Sequence, residues 1–219
     1  MIGDELEPEV LREIESLPAG LAEKVARHLV MAGSLIDDEP EQARLHTAAA
    51  HRLAARLPAV REACAITAYA CEDYADALKE FRAVRRMTGR DEWLAYIADC
   101  ERALGRGDRA LEITKEALET MKDPVVRVEL LLVSAGVRSD RGQHEAAVLT
   151  LQVPELRSRA VEPWVARLRF AYAEALISAG RAEDGLTWMR RAAEVDPDEE
   201  TPAAERLREL SAGDSGSVS

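Results

Sequence analysis

Ala103-Leu104-Gly105-Arg106-Gly107-Asp108-Arg109-Ala110-Leu111 and Ala179-Gly180-Arg181-Ala182-Glu183-Asp184-Gly185-Leu186 repeat one pattern at two places in the chain. A glycine follows a helix-favouring Ala or Leu, a polar stretch comes next, and a small residue opens an amphipathic segment. A third version, Cys71-Glu72-Asp73-Tyr74-Ala75-Asp76-Ala77-Leu78 followed by Phe81, has Glu72 in the place of the glycine. Used as a ruler, the small residue marks five anchors, Ala43, Ala77, Ala110, Ala147 and Gly185, at spacings of 34, 33, 37 and 38 residues. Seven residues later, two turns on along the same face, stand Ala50, Val84, Ala117, Pro154 and Ala192. Twelve residues earlier stand Met31, Ala65, Ala98, Ala135 and Ala173. Five residues before each anchor, where the chain must reverse, lie Asp38, Glu72, Gly105, Gly142 and Gly180. Glycine suits the left-handed conformation that ends a helix; Asp tolerates it less and Glu less again. Paired helices approach closely only through small contact residues, and bulkier ones lock each hairpin onto the next. Phe81, Leu151 and Met189 fit that bulky slot, four residues after their anchors, whereas Thr47 and Thr114 are poor occupants.

Over about residues 24–197 this pattern resembles the tetratricopeptide repeat (TPR), a helix–turn–helix unit of about 34 residues. The likeness is strong in small-residue spacing and weak in signature aromatics, since the early Trp and the Gly-Tyr pair of that family are mostly absent. It implies an all-α, right-handed α-α superhelix of five helix hairpins with flanking capping helices. The expected layout is an N-terminal segment with a short capping helix over 1–17 and repeats at about 24–57, 58–90, 91–127, 128–165 and 166–197. A C-terminal capping helix over 198–211 and a disordered Ser/Gly-rich tail over 212–219 complete it. Helices are expected near 24–37, 40–56, 59–71, 74–88, 91–104, 107–121, 124–141, 143–153, 163–179 and 182–195. Pro154 falls where a helical Ala is expected, so the second helix of the fourth unit should end early or kink.

Composition agrees with helix. Hydrophobic residues make up 47% and charged residues 32%, but aromatics only 4%, with the apolar content drawn largely from Ala, Leu and Val. A net charge of −12 repels phosphate backbones and argues against nucleic-acid binding. Cys64, Cys71 and Cys100 are too few and too scattered for a disulfide framework, and Cys64 and Cys71, seven apart on one helix face, read as small buried hydrophobes. The N-terminal Met1-Ile2-Gly3-Asp4-Glu5-Leu6-Glu7 has neither a basic region nor an apolar one, and no apolar run approaches bilayer length. The expectation is a cytoplasmic chain with no membrane role. Lys occurs only at 24, 79, 115 and 122, and Asn is absent, a bias that points to a GC-rich, actinobacterial-type genome.

Catalytic, cofactor and metal constellations do not emerge. His46 and His51 are five apart and mostly diverge on a helix, and His28 and His144 are isolated. Gly105-Arg106-Gly107 lacks the preceding strand of a phosphate loop. Asp37-Asp38-Glu39 lacks calcium-ligand spacing. Arg82, Arg85-Arg86 and Arg190-Arg191 fall late in second helices, where cations complement the helix dipole.

The TPR resemblance implies a ligand groove lined by first helices. Projected onto this chain, the lining comprises His28, Glu62, Tyr69, Asp99, Arg102, Glu129, Arg167, Phe170 and Glu174, together with Val25, Ala32, Leu35, Ile66, Glu92, Ala95, Leu132, Gly136 and Ile177. That surface is acidic across its middle, with Tyr69 and Phe170 as anchors, and suits a basic or amphipathic protein segment. The clamp by which some TPR proteins hold a chaperone C-terminal carboxylate uses paired Asn. A chain without Asn cannot build it, and Ala32 and Ile66 stand at the corresponding places. The leading expectation is a non-catalytic scaffold or adaptor, monomeric or weakly homodimeric. A self-associating module and the sensing part of a regulatory system are the alternatives.

Overall fold

The computed structural model describes residues 6–214, with side chains through Leu210. Residues 1–5 of the expected N-terminal segment and 215–219 of the expected tail lie outside it. Every regular element among the described residues is helical. The order is α1 (Pro8–Ile14), α2 (Ala19–Leu35), α3 (Pro40–Ala54), α4 (Pro58–Ala70), α5 (Tyr74–Thr88), α6 (Leu94–Ala103), α7 (Gly107–Thr120), α8 (Pro124–Asp140), α9 (His144–Leu151), α10 (Pro163–Ser178), α11 (Ala182–Ala193) and α12 (Ala203–Asp214). The chain divides at Arg106–Gly107 into two compact units, α1 to α6 and α7 to α12.

Proline opens α1, α3, α4, α8 and α10, where its missing N–H costs nothing. Asp73 and Asp123 cap α5 and α8 by accepting from first-turn amides. Glu72, Gly105, Gly142 and Gly180 all adopt positive φ, at 59°, 76°, 69° and 80°. After each, the next amide donates to the carbonyl five residues back: Asp73 to Ala68, Arg106 to Glu101, Gln143 to Arg138 and Arg181 to Leu176. Glu72 is the strained member, at a cost of about 1–2 kcal/mol for a side chain in that region. The first turn is built differently. Asp38 is not left-handed; the Glu39 amide bonds back to Leu35 before Pro40 opens α3.

Ala43, Ala77, Ala110 and Ala147 are fully buried, and Gly185 is buried too. Ala65, Ala98, Ala135 and Ala173 are buried, while Met31 at the equivalent place is exposed because the first turn lacks the common geometry. At Gly185 a Cβ would stand 2.5 Å from Ile177 Cγ1 and 3.0 Å from the Ala173 carbonyl oxygen, so α10 and α11 meet closer than any side chain permits. Gly185→Ala is expected to lower stability by about 1–3 kcal/mol through overpacking, despite the helix preference of alanine. Urea unfolding beside Gly33→Ala, where nothing lies within 4 Å, checks this; equal midpoints would refute the close-approach reading.

Thr47 and Thr114 do occupy the bulky slot, buried, with each hydroxyl donating to the carbonyl three residues back; Thr47 also meets the Thr67 hydroxyl at 2.8 Å. Two buried carboxylates lie deeper in the first unit. Glu80 pairs with Arg61 at 2.6 Å and Lys79 at 3.0 Å, and Glu101 pairs with Arg82 and, at 3.0 Å, with Arg106. Phe81, Trp93 and Tyr96 form one three-ring cluster, with Trp93 in the core and Tyr96 substantially exposed. Of the three thiols only Cys100 is buried. Cys64 and Cys71 are half-exposed, Cys71 because it follows the last turn of α4.

In the second unit α9 stops at Leu151, and Pro154–Arg157 forms a 3-10 turn that drops Leu156 into the core. Arg169 gathers the carbonyls left over, donating to Leu156, Ser158 and Arg191 oxygens at 3.3, 2.7 and 2.9 Å. No Pro or new cap intervenes after Leu210, so α12 continues to Asp214 and residues 212–214 are helical rather than tail. Among the described residues, no helix is long and apolar enough to cross a membrane, and no group of three or more His, Cys, Asp or Glu could hold a metal ion.

Candidate functional site

Five of the expected groove residues fall in the first unit. His28 turns into its own hairpin and meets His46, Nδ1 to Nδ1, at 3.0 Å. Burial lowers its pKa, with the nearby His46 and Arg52 charges adding to the effect. Val25, on the same projected stripe, is fully buried in the core. The reason is the first turn: without the left-handed reversal, the exposed face of α2 does not follow the register of the other first helices.

Tyr69, Asp99 and Arg102 form one network. The Tyr69 hydroxyl donates to Asp99 Oδ2 at 2.5 Å, and Arg102 Nη1 donates to Asp99 Oδ1 at 3.0 Å. Tyr69 lies edge-on to Tyr74, Phe81 and Tyr96. Burial, and then the Asp99 carboxylate, push its phenol far above the usual range, so it acts only as a neutral donor. Glu62 is half-buried and lies 3.2 Å from Arg90 Nη2. Burial raises its pKa to about 7, with Glu92, Glu13 and Glu7 adding and Arg90 opposing.

The other four residues fall in the second unit, and the fold brings three of them to one cavity. A groove of ≈470 Å³ between α8 and α10 is floored by Leu132, Phe170, Ala171 and Ala175 and rimmed by Arg167, Glu174, Ser139 and Ser178. Glu129 stands at its edge, 2.7 Å from Arg167 Nη2. Glu174 is held from the other side by Arg206 Nε of α12 at 3.1 Å. One wall is Glu200-Thr201-Pro202, a segment that sequence reasoning missed. It is fixed by buried Asp196, which accepts from the Glu200 amide at 2.8 Å, the Thr201 amide at 2.9 Å and the Thr201 hydroxyl at 2.6 Å. The available signal was the Asp196-Pro197 pair directly after a helix, a turn-forming sequence.

The acidic middle of the projected surface is electrically compensated. Glu62, Asp99 and Glu129 each face an arginine, so the field a basic partner would meet is weaker than the residue types alone imply. The arginine patch is compensated as well: Arg82 pairs with Glu101, Arg85 with Asp91, and Arg191 lies over the Trp188 ring at 4.6 Å. The remaining attraction of the groove is apolar.

No family model matches the chain, and no curated protein matches it. A solved structure does: a thermophilic TPR protein of Thermus thermophilus superposes on 85% of this chain and 98% of its own, with a TM-score of 0.67 at 19% identity. The fold is TPR-like. At that identity the likeness is one of fold, and it accords with the anchor spacing and with the four shared left-handed turns. In the TPR-like frame α8 and α10 take the places of first helices, and the groove of the second unit lies between them.

Proposed function

We propose that the protein is a non-catalytic scaffold of the cytoplasm, built from five TPR-like repeats with capping helices at both ends. In this reading it binds a segment of another protein in the groove between α8 and α10. The observation that carries it is the open apolar floor at Phe170 and Leu132, bordered by Arg167 on one side and Glu174 on the other. A protein segment with one large apolar side chain, flanked by polar groups of either sign, fits that arrangement. The compensated carboxylates favour an amphipathic segment over a merely basic one.

Photo-reactive benzoylphenylalanine at Ser178, on the groove rim, tests the proposal against the same group at Leu149, which is 69% exposed on α9. In cells, a discrete adduct is expected at Ser178 and none at Leu149. Phe170→Ala should weaken the captured interaction by roughly 10–100-fold, the range for an aromatic anchor. Adducts at both positions alike, or a loss-free Phe170→Ala, would remove the groove from consideration. An adduct made of two copies of this chain would move the reading to self-association.

A further inference from the structure

The first unit carries a second cleft, and part of the chain already lies in it. Between α2 and α4 a ≈310 Å³ cleft is lined by Leu29, Ala32, Ile36, Ala63 and Ile66, and Val10 of α1 reaches into it together with Leu6, two residues ahead of the helix. The helix carries two parallel stripes. Val10 and Ile14, four residues apart, face the unit, with Leu6 packed beside them just ahead of the helix, and Ile14 is 3% exposed. Glu9 and Glu13, also four apart, lie one residue before the apolar ones. Each acid has its own receptor. Glu13 Oε2 accepts from the Ala59 amide in the first turn of α4 at 2.8 Å, and Glu9 Oε2 lies 3.3 Å from Arg90 Nη1. Arg90 joins this pattern to the cleft wall through Glu62.

The occupant is short and lightly held. It has seven residues and no side-chain cap, and only Ile14 in it is fully buried. An isolated helix of this length is far below what is stable in water, so its structure depends on the cleft. The cleft in turn is not filled by it: Ile66, Ile36 and Leu29 still border open space.

We propose that the cleft between α2 and α4 is a receptor for an acidic amphipathic helix of another protein, and that α1 is its built-in competitor. The partner helix carries apolar side chains at i and i+4, with Glu or Asp immediately before each. It is longer than α1 and extends over Ile66. Its acids take the Ala59 amide and Arg90 when Glu13 and Glu9 leave. Like the α8–α10 groove, this cleft lies between first helices, and Ala32, Glu62 and Ile66 belong to the projected lining, so the proposal rests on the same reading of that face; its test reads the first unit alone and fails separately.

The probe is a fluorescein-labelled peptide with the sequence of residues 6–17, added to the full chain and followed by anisotropy. Val10→Asp/Ile14→Asp in the full chain releases the tethered α1, and this variant should bind the peptide at least ~10-fold more tightly than the wild type, because the tethered copy competes at an effective concentration near millimolar. Adding Arg90→Glu should cost at least ~10-fold, and Arg90→Lys should restore part of the loss. A peptide with Glu9 and Glu13 replaced by Lys should bind at least ~10-fold more weakly than its parent. Hydrogen exchange reports whether residues 8–14 are released while α2 to α5 stay protected; if the double variant loses that protection, Val10→Asp alone is used. A released chain that binds the peptide no better than the wild type overturns the proposal. So does equal affinity for the charge-reversed peptide.

Discussion

With Arg82 and Arg106 both replaced by Met, the unfolding free energy is expected to fall by about 3–5 kcal/mol at pH 7, the cost of leaving a buried charge without a partner. Glu101 is 2% exposed, while Arg82 and Arg106 are 41% and 55% exposed. The carboxylate cannot reach water, whereas the cations already do. Each single replacement leaves one cation in place and should cost about 1 kcal/mol, a charge-assisted hydrogen bond at a half-exposed site. The excess in the double variant is therefore coupling. Met keeps most of the apolar stem, so lost packing contributes little. A urea double-mutant cycle measures it, and Glu101→Gln on the double-Met background should recover much of the loss. Purely additive losses would mean that Glu101 finds water.

Glu62→Gln works in the opposite direction. Its folded-state pKa of about 7 lies above the ordinary 4.5, chiefly through burial. Between these values the folded chain binds a proton that the unfolded chain has lost. Stability from this group is therefore fully present below pH 4.5 and is lost as pH rises through 7. By pH 8 the ionised, half-buried carboxylate costs on the order of 3 kcal/mol, since a tenfold change in proton affinity corresponds to about 1.4 kcal/mol. The glutamine variant should match the wild type at pH 4 and exceed it by up to about 3 kcal/mol at pH 8. Denaturation at pH 4, 6 and 8 checks the trend; parallel curves would show that Glu62 does not titrate in this range.

The helical framework was legible because its determinants are local and periodic. Anchor positions Ala77 and Ala147 sit in tight hairpins, and a single glycine marks each of three reversals; Pro154 marks the end of α9 for the same reason. Arg167, Phe170 and Glu174 share a face of α10 by helical spacing, and their meeting with Leu132 of α8 is what the TPR resemblance implied. Three features escaped. Glu80 and Glu101 carry no mark of burial, since nothing in the order of residues says that an arginine from the preceding helix will cover them. His28 projects onto the groove only in a register that the differently built first turn does not keep. The seating of α1 depends on contacts across dozens of residues, as between Glu13 and Ala59, which no periodicity encodes.

Arg169 holds the irregular stretch after α9 by main-chain oxygens alone. Carbonyls are common to all amino acids, so that grip is blind to the identity of the residues it holds. Apart from Val153 and Leu156, which pack into the core, Pro154, which opens the 3-10 turn, Glu155, which pairs with Arg127, and Ser158, whose hydroxyl accepts from the Ala160 amide, the segment from Gln152 to Glu162 is free to drift in sequence while its path stays fixed. This is the part of the molecule where new surface chemistry can be written without disturbing the helices on either side.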